Sequence, residues 1–193
     1  TFRMGSSPDE PGRGASETLH QVTLSRSFWI TDTEVSRDLW HAVMGGDASG
    51  LTPITDISWH EAHDFLVALS APMNQQEARL PTEAEWEYAC RAESLSAFPN
   101  GSRPDPTEAI SGNPLRPVGR GQPNRFGLFD LPGNVSEWCL DNWNGSDPLP
   151  ADPEVDPDNR FGALSVVRGG AYNQPESAAR SADLGFRFVI VDR

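Results

Sequence analysis

Apolar side chains recur at helical spacing along residues 58–69, directly after a residue type that begins helices. Ser58 and Glu61 have the S-x-x-E spacing of a capping box, in which each side chain accepts a hydrogen bond from the other residue's main-chain N–H. The apolar positions that follow at i, i+3, i+4 and i+7 are Ala62, Phe65, Leu66 and Leu69. This spacing predicts a helix that turns one face toward a core.

Two further helices are predicted by the same combination of start signal and apolar spacing. Thr82 and Glu85 form a second capping box, and Pro81 prevents the helix from extending further back. An earlier helix is expected to begin at Ser36 and to stop at Gly45-Gly46. The expected apolar faces are Trp86, Ala89 and Cys90 in the first case and Leu39, Trp40, Val43 and Met44 in the second.

Strand patterns are short and lie on either side of these helices. The predicted strands are Gln21–Leu24, Phe28–Ile30, Ser165–Arg168 and Phe186–Val191. In the last of them, Phe186, Phe188 and Ile190 alternate with more mixed positions, which indicates one apolar face. Early helices with flanking strands favour an α+β class over a doubly wound sheet.

The rest of the chain is predicted to be irregular. The 193 residues include 17 glycines and 17 prolines, many of them in the polar tracts 93–125 and 141–164. Such tracts form ordered loops only where something else holds them. We therefore expect a single, loop-rich α+β domain over residues 1–193, with no second autonomous unit.

The net charge and the length of the apolar runs limit the classes of partner that we expect for this chain. The chain carries 15 Lys and Arg against 28 Asp and Glu, a formal net charge of −13. An acidic field of this size repels phosphate backbones and anionic membrane surfaces, so we expect no nucleic-acid partner. No apolar run approaches the length of about twenty residues that a membrane span requires, so no span is expected.

Cysteine content and the first residues leave the compartment open. Cys90 and Cys139 are the only cysteines, too few for a disulfide-framed scaffold, and they can be either paired or separately buried. The chain begins Thr-Phe-Arg-Met without an apolar signal run, which reads as a domain excised from a longer chain. The sequence therefore predicts no particular localisation.

Oxygen-bearing side chains cluster in residues 124–138. Asp130, Asn134 and Glu137 surround Pro132-Gly133, a turn pair that can also direct main-chain carbonyls inward. Ca²⁺ takes six to eight oxygen ligands of this mixed kind. The same residues can also serve only to hydrogen-bond a tight turn, and their spacing does not decide between the two readings.

A series of short motifs gives the chain a resemblance to a known family. The motifs, in chain order, are FRMG (2–5), EVS…W (34–40), ISWHEA (57–62), RLPTEAEWEYA (79–89), FGLFDLPGNVSEW (126–138), RGGAY (168–172), ARS (179–181) and GFRF (185–188). Their content and order resemble the formylglycine-generating enzyme, or sulfatase-modifying factor, family over nearly the whole chain. This resemblance implies a variant of the C-type-lectin-like fold, with two main helices packed on a small, twisted antiparallel sheet.

The resemblance also implies a structural Ca²⁺ at the turn in residues 124–138. In the family, the ion is held by the positions equivalent to the side chains of Asp130 and Glu137 and the carbonyls of Gly133 and Val135. On this basis we expect a calcium site here. A second calcium site of the family has no convincing match in residues 93–116.

The match fails where the family carries its chemistry. Formylglycine-generating members bind Cu(I) through two cysteines in the loop after the RGG motif, and soft thiolates are the ligands that Cu(I) prefers. Residues 168–193 contain no cysteine, and Ala171 stands where the family usually has a serine. Ser136 likewise replaces a tryptophan that is frequent in the family. We therefore expect no Cu(I) site and no formylglycine generation.

Two classes of function remain, and the sequence leaves open whether the protein is an enzyme. The first is a ligand-binding module on a calcium-supported frame, with an unidentified protein, peptide or glycan as its partner. Its expected contact residues are Tyr172, Asn173, Gln174, Glu176, Trp138 and Trp143. The alternative is a metal-dependent oxidoreductase using non-haem iron or copper, of the formylglycine-generating, ergothioneine or siderophore-maturation type that the family resemblance suggests.

Overall fold

The computed structural model confirms the predicted α+β class. The residues it describes are 1–9, 17–47, 50–94, 115–143, 153–170 and 184–192. Within these ranges the chain forms α1 (Arg37–Met44), α2 (Trp59–Ser70) and α3 (Glu83–Arg91). None of these helices is long and apolar enough to cross a membrane.

All three helices begin at the predicted residues. Ser58 and Thr82 each cap a helix through a complete capping box, and the hydroxyl of Ser36 accepts a hydrogen bond from the N–H of Leu39 at 3.2 Å. Helix α1 ends at Gly45, whose φ of 83° suits glycine. The expected apolar face of α1 is only partly used, because Leu39 and Met44 are exposed while Trp40 and Val43 pack on the core.

Nine short strands accompany the helices in the described ranges. They are β1 (Phe2–Met4), β2 (His20–Thr23), β3 (Trp29–Ile30), β4 (Gln76–Arg79), β5 (Ser136–Trp143), β6 (Glu154–Val155), β7 (Leu164–Arg168), β8 (Leu184–Gly185) and β9 (Val189–Asp192). They form three small sheets with the orders β1-β2-β6, β3-β9-β4 and β7-β5-β8. Most pairings are antiparallel, as expected, but β2 with β6 and β5 with β8 are parallel.

The C-terminal strand differs from its prediction. Residues 186–191 were expected to form one strand, but the structure divides this region into β8 and β9, with Phe186–Phe188 between them. Phe186 and Phe188 enter the main core, whereas Arg187 is fully buried on the side of Glu137. The chain therefore leaves one sheet and joins another within three residues.

Two apolar clusters make up the core. The larger lies between α2 and the sheet β3-β9-β4, where Phe65 packs edge-to-face on Phe186 at 5.4 Å and stacks on Trp40 at 5.2 Å. The smaller lies under α3 and contains Trp86, Leu131 and Cys139 among others. Strand β5 contributes to both clusters, which fixes its position in the molecule.

Candidate functional site

Strand β5 anchors both ends of the segment that was predicted to carry ligand contacts. Glu137 pairs with Arg168 at the end of β7, and it also pairs with Gly185 in β8. Arg168 and Gly185, which precede and follow residues 171–183 in the chain, therefore lie beside the same residue of β5. The predicted contacts Tyr172, Asn173, Gln174 and Glu176 belong to this segment and lie outside the described residues.

A buried ion pair lies directly beneath these anchors. Arg187 Nε is 2.7 Å from Glu137 Oε2, Arg187 Nη2 is 2.8 Å from Glu137 Oε1, and both side chains are 0% exposed. The indole N–H of Trp86 donates to Glu137 Oε2 at 2.6 Å, and Arg187 Nη2 also donates to the carbonyl of Phe129 at 2.9 Å. Burial by itself would lower the pKa of Arg187, but the Glu137 carboxylate outweighs burial and raises it.

A second buried carboxylate faces this ion pair. Glu34 is 2% exposed, and neither of its carboxyl oxygens has a hydrogen-bond partner among the described residues. Burial raises the pKa of the Glu34 carboxyl well above its ordinary value, which Arg187 opposes and the charges of Glu137 and Asp130 reinforce. The base of the site thus carries more acidic than basic groups.

The RGG motif is held in place by helix α3. Arg168 pairs with Glu87, which is itself bound by Arg91 at 2.8 Å and by the N–H of Gly5 at 2.8 Å. The guanidinium of Arg168 also lies over the ring of Trp86, 5.4 Å from its centre. These contacts join β7, α3 and the N-terminal strand at one point.

The first glycine of RGG is required by its surroundings. Gly169 has a φ of 84°, and a Cβ placed on it would lie 3.2 Å from the carbonyl oxygen of Leu131 and 3.5 Å from that of Val135. Any side chain at this position would be strained and would also crowd those two oxygens. The turn in residues 130–135 therefore directs main-chain carbonyls toward the RGG segment.

The side chains of this turn mostly brace its main chain. Asp130 and Asn134 adopt positive φ values of 58° and 61°. Asn134 accepts from the N–H of Arg116 at 3.1 Å and donates to its carbonyl at 3.3 Å, while Asp130 Oδ2 accepts from the N–H of Gly119 at 2.6 Å. Asp130 Oδ1 is buried without a hydrogen-bond partner among the described residues, and Arg116 Nη2 lies 3.7 Å from it.

The surroundings of the four predicted calcium ligands only partly suit a cation that is coordinated by oxygen atoms. Asp130 retains one buried oxygen that no described donor uses, and Gly133 and Val135 lie in the same turn. Glu137 is already engaged by Arg187 and Trp86, so a cation would have to share its carboxylate with them. Within the described ranges, no three His, Cys, Asp or Glu side chains are grouped to hold a metal, so main-chain carbonyls would be needed.

The two predicted tryptophan contacts lie in different environments. Trp138 is half-buried against the main core, and its indole N–H donates to the carbonyl of Ile57 at 3.0 Å. Trp143 is 40% exposed at the far end of β5, opposite Leu164. Only Trp138 adjoins Glu137, where segment 171–183 is anchored, so the structure does not bring the two indoles together at that end of β5.

Both cysteines are free thiols: Cys139 is buried in the smaller cluster, and Cys90, which belongs to α3, is partly buried against it. Burial raises the pKa of Cys90 to about 12 and raises that of Cys139 well above its ordinary value. A thiol with so high a pKa supplies little thiolate at neutral pH, and thiolate is the form that binds metals. Of the two possibilities left by the sequence, a disulfide and separate burial, the structure shows the second.

Three residues of this site were not selected from the sequence. Arg187 lies in a predicted strand and Trp86 on the apolar face of a predicted helix, whereas Glu34 lies between predicted elements and was noted only within the EVS motif. Arg187 carried a usable signal, because an arginine between Phe186 and Phe188 in an apolar strand requires a buried partner. No local pattern pairs it with Glu137, which lies fifty residues earlier.

Comparison with known proteins identifies the class to which this frame belongs. The family model of the sulfatase-modifying factor enzyme 1-like domain matches residues 1–190, and the chain belongs to that family. The formylglycine-generating enzyme of Streptomyces coelicolor is 30% identical, with 90% of this chain and 68% of that protein covered. The chaperone protein LppX of Paenibacillus barcinonensis is 27% identical, with 86% and 75% covered.

Solved structures share the fold at lower identity. PvdO from Pseudomonas aeruginosa superimposes with a TM-score of 0.78 at 24% identity, covering 100% of this chain and 91% of that one. Treponema denticola variable protein 1 gives a TM-score of 0.74 at 23% identity, covering 100% and 92%. These similarities confirm the predicted fold.

Proposed function

We propose that this domain is a ligand-binding member of the sulfatase-modifying factor family that does not generate formylglycine. Segment 171–183 would be its contact surface, with Tyr172, Asn173, Gln174 and Glu176 as the binding side chains and a protein, peptide or glycan as the partner. Aromatic and amide side chains on a loop suit such contacts, because they combine apolar area with adaptable hydrogen bonding.

The observation that supports this proposal most directly is the fixed frame on both sides of the segment. Arg168 is anchored by Glu87 and Trp86, and Gly185 pairs with β5 beside the buried Glu137–Arg187 pair. Loops whose ends are fixed on a rigid scaffold are a common location for recognition sites. The fixed positions of Arg168 and Gly185 therefore support the proposal that the segment between them serves for recognition.

The cysteine content argues against copper chemistry at the same place. Residues 168–193 contain no cysteine, while Cys139 is buried in the smaller cluster and Cys90 packs against that cluster from α3. Cu(I) sites need soft, deprotonated ligands, which oxygen and amide side chains do not replace. The predicted absence of a Cu(I) site follows from this ligand argument.

Parallel glycan and peptide arrays test the binding proposal. We expect the wild-type domain to bind a limited set of features, and Tyr172→Ala combined with Gln174→Ala to lose them. Gln75→Ala is the matched control, because Gln75 is exposed and lies outside the segment. Binding by the double variant equal to that of the control would place recognition elsewhere and contradict the proposal.

The alternative is an oxidoreductase that uses iron or copper. It is favoured by the sequence similarity to proteins named formylglycine-generating enzymes. Anaerobic titration with Fe(II), and separately with Cu(I), distinguishes the two functions. A stoichiometric site that Tyr172→Ala with Gln174→Ala leaves unchanged would favour the enzyme, whereas no binding above background would exclude it for this domain.

We also propose that the turn in residues 130–135 holds a structural Ca²⁺. Asp130 would supply the oxygen that accepts no hydrogen bond from a described residue, Gly133 and Val135 their carbonyls, and Glu137 a share of its carboxylate. Such an ion would offset the acidic excess created by Glu34, Asp130 and Glu137 beneath the RGG segment. Its role would be to fix the turn and not to take part in a reaction.

A further inference from the structure

A cavity of about 550 Å³ lies beside β1 and α3, and none of its described lining residues belongs to the calcium turn. It is formed by the start of β1, residues 24–30, residues 88–89 of α3 and residues 126–128. Its size falls in the range of about 300–1,000 Å³ that is usual for small-molecule sites. It shares no lining residue with the site beneath the RGG motif, so the inference is independent of the proposed function.

The walls of this cavity are aromatic. Phe2 and Tyr88 meet edge-to-face with ring centres 5.3 Å apart, and Phe126 packs on the other side of Tyr88, also at 5.3 Å. Trp29, on the edge strand β3, is 75% exposed and lines the same cavity. An exposed indole beside a row of packed rings presents apolar faces to a flat ligand.

The polar groups of the cavity define which flat ligand would fit. Among the described lining residues, Arg26 is the only one with a charged side chain, and it makes no hydrogen bond or ion pair with another described residue. The nearby carboxylate of Asp156 accepts hydrogen bonds from Ser25. These bonds, and to a smaller extent the charge of Arg26, lower the pKa of Asp156. The hydroxyl of Tyr88 also has no hydrogen-bond partner among the described residues.

The lining residues that the structure describes include no Asp, Glu, Asn or Gln. Sugars are bound largely through such side chains, which match the donors and acceptors of hydroxyl groups, and organic cations need carboxylates. The chain has a net charge of −13, whereas the described lining of this cavity carries one guanidinium and no carboxylate, so its local charge is opposite in sign to that of the chain. Guanidinium groups bind carboxylates through paired hydrogen bonds.

We propose that this cavity is a binding site for a small aromatic carboxylate, with its ring against Trp29, Tyr88 and Phe126 and its carboxylate on Arg26. The rings supply apolar contact, and the guanidinium supplies orientation and selectivity for the anion. No bond is made or broken, so the role is binding alone.

Calorimetric titration with cinnamate, using uncharged cinnamamide as the matched ligand, tests this assignment. We expect cinnamate to bind at least about tenfold more tightly than cinnamamide, the ratio expected when one charge-assisted hydrogen-bonded contact is lost. Arg26→Gln should remove this difference while leaving cinnamamide binding unchanged. Trp29→Ala should weaken both ligands, and Arg120→Gln, which alters an exposed arginine outside the cavity, should affect neither.

Backbone amide chemical shifts locate the bound ligand. With cinnamate, the shifts should concentrate in residues 24–30 and around Tyr88 and Phe126. Equal affinity for the two ligands, an unchanged preference in Arg26→Gln, or no shifts in these residues at about 1 mM cinnamate would each overturn the assignment.

Discussion

At the scale of single residues, the Arg187–Glu137 pair has the largest energetic consequence. Both groups are completely buried, and every polar atom of the Glu137 carboxylate is engaged by Arg187 or Trp86. Removing charges from water costs several kcal/mol per ion, which only a well-matched pair repays. A variant that removes one partner leaves the other charge buried and uncompensated.

Arg187→Met is therefore expected to lower the free energy of unfolding by about 3–5 kcal/mol. The control is Arg160→Met, whose ion pair with Asp158 is half exposed and should contribute less than about 1 kcal/mol. Urea unfolding followed by tryptophan fluorescence measures both. Similar losses in the two variants would mean that the buried pair has no special role.

A double variant keeps this prediction testable if Arg187→Met does not fold. Arg187→Met with Glu137→Leu replaces the pair by apolar side chains and removes the unpaired charge. We expect it to recover most of the lost stability, because a buried ion pair and well-packed apolar residues are often of similar stability. A double variant as unstable as the single one would point to a packing defect instead.

At the scale of elements, α3 connects more parts of the molecule than its short length suggests. Its N-terminus is capped by Thr82, and Arg79 binds Glu85 through two contacts of 2.7 Å. Further along the helix, Trp86 reaches Glu137 and Glu87 reaches Arg168. Loosening α3 should thus disturb both the buried pair and the RGG frame.

The first turn of α3 can be tested at Thr82. Thr82→Ala should cost about 1 kcal/mol in urea unfolding, because the N–H of Glu85 loses its acceptor. Thr82→Ser preserves the hydroxyl and should remain within a few tenths of a kcal/mol of wild type. If serine and alanine behave alike, the cap is not what fixes the start of this helix.

The link between α3 and β7 predicts a pH dependence. Burial would raise the pKa of Glu87, but the Arg168 and Arg91 charges outweigh it and lower that pKa below the ordinary value of 4.5. A lowered folded-state pKa means that the stabilisation is present above the unfolded pKa and is lost as pH falls through the folded one. The network should therefore weaken only in acid.

Comparison of wild type with Glu87→Gln measures this effect. We expect wild type to be more stable by about 3 kcal/mol at pH 7, and the difference to shrink below the ordinary pKa of Glu. Glu93→Gln, at an exposed position two residues past the helix, should differ little from wild type at any pH. A wild-type advantage that is constant down to pH 3 would contradict a role for the Glu87 charge.

At the scale of the whole molecule, three small sheets and three short helices are tied together mainly by long-range side-chain contacts. Long irregular connections need such ties, since they have no ladder of hydrogen bonds of their own. The proposed Ca²⁺ would be one more tie, joining the turn at Asp130 to β5. Its effect should therefore appear in the stability of the whole domain.

Thermal unfolding measured with excess Ca²⁺ and with EDTA tests whether the turn holds a stabilising calcium ion. At a free concentration near one hundred times the dissociation constant, Ca²⁺ should add about 2.7 kcal/mol, or a midpoint rise of several degrees. Asp130→Asn should lose most of this rise, while Asp64→Asn, at a position 73% exposed on α2, should keep it. An unchanged wild-type midpoint in EDTA would rule out a stabilising site at this turn.

Local signals in the sequence account for much of the fold. The three helix starts were correct because capping is decided within four residues, and β2, β3 and β7 lie close to their predicted bounds. Strand β5 was not predicted, although it is the longest strand. It is buried on both faces and carries Glu137 and Asp141 inward, so it lacks the alternation by which a half-solvated strand is recognised.

The sequence by itself determined the family, the α+β class, the helix boundaries and the absence of cysteine from segment 168–193, because each depends on residue type or short spacing. Tertiary structure alone decided that Arg187 neutralises Glu137, that Glu34 is buried beside them, and that Arg26 faces an aromatic cavity. These relations join residues far apart in the chain. Their physical basis is burial, which sets the cost of each charge and is known only once the chain has folded.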